Sequence, residues 1–174
     1  MKMKNKFLLT TLLVSSVAFA NTAITEKEVI EAQKKWSECI VEIGKSTPET
    51  AKTTALNCIN KLYAYDNGGV LFKPTKAAEK QFRDDKNSAL SYFVKGEIKE
   101  DHGFALQPWS NVRFDNSKTL IDSDSAISMG NYYFTDANTN KEVKVEYTFG
   151  YIKDKDGNLK INLHHSSLPY SKKD

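Results

Sequence analysis

The stretch EVKVEYTFGYIKDKDGNLKINLHHSS, residues 142–167, decides the fold. Side chains alternate across a β-strand, so every second residue shares a face. Over 142–153 this puts Val143, Val145, Tyr147, Phe149 and Tyr151 on one side, with Lys144, Glu146 and Thr148 on the other. Residues 154–158, Asp-Lys-Asp-Gly-Asn, are hairpin turn chemistry. In the returning run, Leu159, Ile161 and Leu163 share a face with His165 and Ser167, while Lys160, Asn162, His164 and Ser166 share the opposite one. Apolar faces must turn to a core. Unbroken alternation therefore aims His165 and Ser167 inward; a β-bulge would reverse the phase and bring in Ser166 instead of Ser167.

Upstream of this hairpin the spacing predicts two further strands, over 104–114 (interrupted by Pro108) and 122–135, with a turn at 136–140. Before them the texture is helical. Thr25 and Glu28 form a capping-box pattern, and Val29, Ala32, Trp36, Cys39, Ile40 and Ile43 recur at helical spacing over 26–43, with Gly44 as the stop. Pro48 suits the first turn of a second helix carrying Ala51, Ala55, Cys58, Ile59 and Leu62. A short apolar strand at 70–72 follows Asn67-Gly68-Gly69. A helical turn or short helix is expected over 75–83, and another helix over 87–95, stopped by Gly96. Helices followed by a meander of long strands specify an α+β domain, its helices packed on one face of a curved antiparallel sheet.

Residues 1–20 read as a secretory signal peptide: Lys2, Lys4 and Lys6 without an acid, an apolar run from Phe7, and Ala18-Phe19-Ala20 before the cut. The run is short of the roughly 20 apolar residues that span a bilayer. The mature unit is then residues 21–174, a single domain, periplasmic or secreted, with no membrane attachment after cleavage. Removing three lysines from a formal charge of +3 leaves 0, which argues against nucleic acid as a partner. Cys39 and Cys58 are the only cysteines. In an exported chain their even count suggests a disulfide, here one pinning two neighbouring helices; two free thiols are the alternative.

Tyr132, Tyr133, Tyr147, Tyr151 and Tyr170 crowd the same region as His165 and Ser167, a composition suited to a small-ligand cavity. A zinc site usually needs three convergent protein ligands. The chain has only His102, His164 and His165, and the last two face opposite ways along a strand. A three-histidine centre is therefore not expected. No phosphate-cradling glycine loop, GxSxG or HExxH motif is present.

The segment Ile161-Asn162-Leu163-His164-His165-Ser166-Ser167-Leu168-Pro169-Tyr170 resembles the closing motif of the iota-class carbonic anhydrases, which are similar in turn to the association domain of calcium/calmodulin-dependent kinase II. The resemblance continues through residues 129–134, 145–151, 71–75 and 89–93. It implies a nuclear-transport-factor-2-like cone, usually a homodimer, that hydrates carbon dioxide reversibly to bicarbonate. It also implies a metal-free site in which Thr75, Tyr92 and Ser167 hold the substrate, although zinc or manganese is described for some members. The position before the histidine pair, often a third histidine, is Leu163 here. His165 or an ionised Tyr92 is the expected proton acceptor. The competing expectation is a non-catalytic ligand-binding or oligomerisation module of the same fold.

Overall fold

The structure, a computed structural model, describes residues 23–171. The signal-peptide expectation for residues 1–20 lies outside them. Helix α1 spans Glu26–Lys45, with Thr25 and Glu28 capping each other reciprocally at its start. The helix runs one residue past Gly44, whose backbone lies against Ala105 O, where a Cβ would come within 3.1 Å. Helix α2, Pro48–Leu62, begins on its proline. The Cys39–Cys58 disulfide joins the two, with Cα atoms 6.0 Å apart. Closing such a loop stabilises by about 3 kcal/mol in the chain-entropy model.

After β1 (Leu71–Lys73) and α3 (Lys86–Val94) come four long strands: β2 (Trp109–Ile121), β3 (Ser125–Asp136), β4 (Glu142–Lys153) and β5 (Leu159–Ser167). They form one sheet in the order β1-β5-β4-β3-β2, open at both edges. The meander is antiparallel throughout, and β1 adds to β5 in parallel. The helices cover the concave face. Trp36 of α1 sits at the centre, its ring within 6.2 Å of those of Phe114, Tyr132, Phe134, Phe149 and His164.

Two expectations for irregular regions change. Residues 104–106 form a 3-10 turn rather than the start of a strand, and β2 begins directly after Pro108, which has no N–H to give to a ladder. Residues 75–83 are a strap of turns and extended chain, not a helix. The reason lies far along the chain. The Glu100 carboxylate accepts the N–H groups of Ala78, Glu79 and Lys80 at 2.8–3.0 Å, and Arg83 N donates to Phe72 O. Those bonds satisfy the backbone where a helix would otherwise be needed.

The largest correction concerns β5. Gly150 pairs with Leu163, but Tyr151 pairs with Ile161, so Asn162 is an extra residue on β5. This bulge shifts the phase of everything after it. Ile161, His164 and Ser166 face the core, whereas His165 is exposed and Ser167 turns out to donate to Glu146 Oε2 at 3.2 Å. A Cβ on Gly150 would stand 2.8 Å from Asn162 Oδ1 and 2.9 Å from Leu163 Cβ. Only glycine fits opposite the doubled residues.

Candidate active site

The bulge delivers His164 and Ser166 to the same interior corner as the strap and α3. Thr75, first residue of the strap after Pro74, donates its hydroxyl to Ser166 Oγ at 2.8 Å. Tyr92, on α3, is buried, and its hydroxyl oxygen receives the N–H of Lys76 at 3.4 Å. Tyr132 of β3 is buried beside them, and the Ser166 and Thr75 hydroxyls partly offset the rise that burial gives its phenol. Two of the three hydroxyls expected from the sequence thus meet here, and the third is Ser166 rather than Ser167.

The strap and the loop after α3 are clamped together behind Tyr92. Arg83 is fully buried and pairs with Asp101 through two hydrogen bonds, at 2.8 and 3.1 Å, with Glu100 at 3.6 Å. Tyr65 OH donates to Arg83 O at 2.8 Å, and the guanidinium lies 5.9 Å from the Tyr92 ring centre. Phe104 stacks on the other side of Tyr92, 5.5 Å between centres. Tyr92 and Lys76 border a cavity of about 290 Å³ whose wall includes His102, Gly103 and Gln107. Carbon dioxide is far smaller than this space.

A second group, behind Ser166, was not singled out from sequence. The Trp36 indole N–H donates to Tyr63 OH at 2.8 Å; Tyr63 OH lies 2.9 Å from His164 Nδ1; His164 Nε2 lies 3.5 Å from Tyr132 OH. His164 is sandwiched between aromatic rings, 4.5 Å from Phe72 and 4.2 Å from Phe149. Burial drives its pKa well below the ordinary histidine value, with the neighbouring His165 charge adding to the effect. It is neutral. Burial also raises Tyr63, Tyr92 and Tyr132 above the ordinary tyrosine value, so these phenols keep their protons at neutral pH.

The two residues expected as proton acceptors are placed differently from that expectation. His165 is on the outer face, and Tyr92 is a protonated phenol. The tyrosine wall also differs from expectation. Tyr132, Tyr147 and Tyr151 face inward. Tyr133 lies outward beneath the Arg113 guanidinium, 4.2 Å from its ring centre, and Tyr170 is 87% exposed. Tyr63 and Tyr92 take their places. Among the described residues, the grouping of three potential metal ligands is Cys39, Glu42 and Cys58, and both its sulfurs are consumed by the disulfide.

A mixed five-stranded sheet curled over three helices, with hydroxyls gathered at one interior corner, places the chain among nuclear-transport-factor-2-like α+β cones. Solved structures share that fold at low identity. A nuclear transport factor 2-like superfamily protein from Salmonella enterica serovar Typhimurium has a TM-score of 0.51 and 10% identity, covering 84% of this chain and 92% of that one. A family model described as metal-independent carbonic anhydrase matches residues 27–168, and the chain belongs to that family. A protein of the same description from Nostoc sp. (strain PCC 7120) is 42% identical over 157 residues, covering 86% of this chain and 76% of the relative. The crystal structure of an iota-carbonic anhydrase from a cyanobacterium, complexed with bicarbonate, superposes with a TM-score of 0.85 at 40% identity, over 90% of this chain and 99% of that one. The chain is accordingly a carbonic anhydrase, interconverting carbon dioxide and bicarbonate, and membership of this family implies no metal cofactor. The non-catalytic alternative falls away.

Proposed function

We propose that carbon dioxide is hydrated at the corner formed by Thr75, Tyr92 and Ser166, with the cavity beside Tyr92 as its entrance. The observation that carries this reading is hydrogen-bond accounting. Tyr92 oxygen accepts from Lys76 N, and Ser166 oxygen accepts from Thr75. Each hydroxyl then retains a proton to give to an anion. Two such donors placed at the carbon dioxide oxygens would stabilise the negative charge that develops there. In the reaction, a water oxygen bonds to carbon, one C=O π pair moves onto its oxygen, and the attacking water loses a proton. Without a metal to acidify the water, the contribution is positioning and electrostatic. The proton's outlet is the same cavity, where exposed His102 makes no hydrogen bond or ion pair among the described residues. Histidine is the side chain suited to accepting and releasing protons near neutral pH.

Stopped-flow hydration on exhaustively chelated enzyme tests the assignment. Ser166→Ala and Tyr92→Phe should each lose on the order of a hundredfold in kcat, the low edge for an oxyanion-stabilising donor. Full rates in folded variants would overturn it.

We propose further that the chain is exported and forms a homodimer. Export is supported by the leader pattern in residues 1–20 and by the disulfide; intact-mass analysis of protein from the periplasm, showing residue 21 as the first, tests it. Dimerisation through the outer sheet face is supported by Leu120, Ile127 and Met129, exposed at 60%, 48% and 55%. Leu120 and Ile127 are cross-strand partners. A monomer mass by light scattering would refute it.

A further inference from the structure

We infer that Trp36 and Tyr63 are positioning residues that fix the tautomer of His164, and through it direct the hydroxyl protons of Tyr132, Thr75 and Ser166 toward the substrate. The inference rests on the site reading above.

The argument is a count of donors. An indole N–H can only donate, so at 2.8 Å the Tyr63 oxygen accepts from Trp36. Tyr63 is buried, and its own proton has one nitrogen to go to, His164 Nδ1 at 2.9 Å. Were the His164 proton on Nδ1 instead, Tyr63 oxygen would receive two donors and its O–H would be stranded in the core. A buried, unmade hydrogen bond is disfavoured at the level of one to two powers of ten in population. Nδ1 is therefore the acceptor. The neutral ring then carries its proton on Nε2, which faces Tyr132 OH at 3.5 Å. The Tyr132 oxygen receives that proton, which leaves its own O–H to turn toward the Ser166 and Thr75 hydroxyls, the two side chains that partly offset the effect of burial on this phenol. Every hydrogen in the chain from Trp36 points the same way. The final hydroxyls are left as net donors, which suits an anionic product. No proton is transferred along this chain in the reaction; it sets polarity.

If Tyr63 lost its hydroxyl, His164 Nδ1 would have no donor and the ring would be free to take the other tautomer. Nε2 would become an acceptor, Tyr132 would turn its proton back to it, and Ser166 would lose a donor. Trp36 thus acts on the site through three intervening side chains, Tyr63, His164 and Tyr132.

The test combines nitrogen NMR of the histidine rings with kinetics. In the wild type, His164 should show a protonated Nε2 and a bare Nδ1. In Tyr63→Phe, the signal should move toward protonated Nδ1, and kcat should fall roughly tenfold, the rate equivalent of one hydrogen bond. A wild-type His164 protonated on Nδ1 overturns the inference even if Tyr63→Phe does not fold. So does a tautomer shift with kcat unchanged, or a kcat loss with the tautomer unchanged. Failure of the site reading is separate: Ser166→Ala and Tyr92→Phe would then retain activity while the wild-type tautomer remained as inferred.

Discussion

Two polar clusters lie inside this cone, and they differ in how completely they satisfy themselves. At one end Gln33, Asn116, Ser128, Tyr147 and Thr119 form a closed set. Gln33 Nε2 donates to Tyr147 OH and Ser128 Oγ, Gln33 Oε1 accepts from Asn116, Tyr147 donates to Asn116 Oδ1, and Thr119 donates to Ser128. At the other end, Thr75 donates to Ser166, while Ser166 and Tyr92 accept from their neighbours and keep their own hydroxyl protons uncommitted. Both contain buried tyrosines and serines. The difference teaches that residue type does not distinguish a structural polar core from a binding site. Leftover hydrogen-bonding capacity does.

The comparison can be broken from either side. Gln33→Leu should destabilise the protein by about 1–3 kcal/mol, because Ser128 and Tyr147 each lose a partner while buried. Its hydration rate should stay within twofold. A large kinetic loss in the folded variant would mean the closed cluster participates in the reaction. At the open end, His164 is held neutral by burial, whereas in the unfolded chain it binds a proton below about pH 6.5. Its folded pKa is depressed, so its contribution is complete above that pH and is lost as pH falls toward the folded value. The expected slope is up to about 1.4 kcal/mol per pH unit. Denaturant titrations at successive pH values measure it, and the His164 ring resonances should stay unmoved between roughly pH 5 and 8 in the folded protein.

Two smaller effects sharpen the boundary of the site. His102→Ala should lower net hydration several-fold in dilute, bulky buffer, be restored by added imidazole, and leave carbon dioxide–bicarbonate exchange at equilibrium unchanged. Equal loss in both measurements would place His102 in the binding step instead. Ser167→Ala and His165→Ala, on the outer face, should alter the rate less than twofold. A large loss in either would restore the unbulged reading of β5.

Most of the architecture could be read from residue order. The bounds of β4 and β5 follow from strict alternation between turn signals, and both helices of the disulfide pair follow from apolar spacing and their caps. Long-range relations were less accessible. Nothing local announces that Glu100 will hold the strap, that β1 will join β5 in parallel, or that Tyr63 will stand behind His164. The phase of β5 did carry a signal. Gly150 interrupts a strand of otherwise large residues, and an isolated glycine in a strand marks bulges. Gly130 repeats the pattern on β3, opposite the irregularity between Asn116 and Lys118, where a Cβ would fall 2.3 Å from Asp115 O. Thr75 and Tyr92 were reached by resemblance, since a turn threonine and a helix tyrosine have ordinary structural roles.

The doubled letters of His164-His165-Ser166-Ser167 acquire meaning from the extra residue at Asn162. A strand reads in two frames, odd and even, and a single insertion or deletion upstream exchanges them. In this segment either frame turns an imidazole and then a hydroxyl toward the interior. Such a sequence is buffered against frameshift of the pleat: with or without the bulge, the corner receives the same chemistry, and the outward pair is the spare copy.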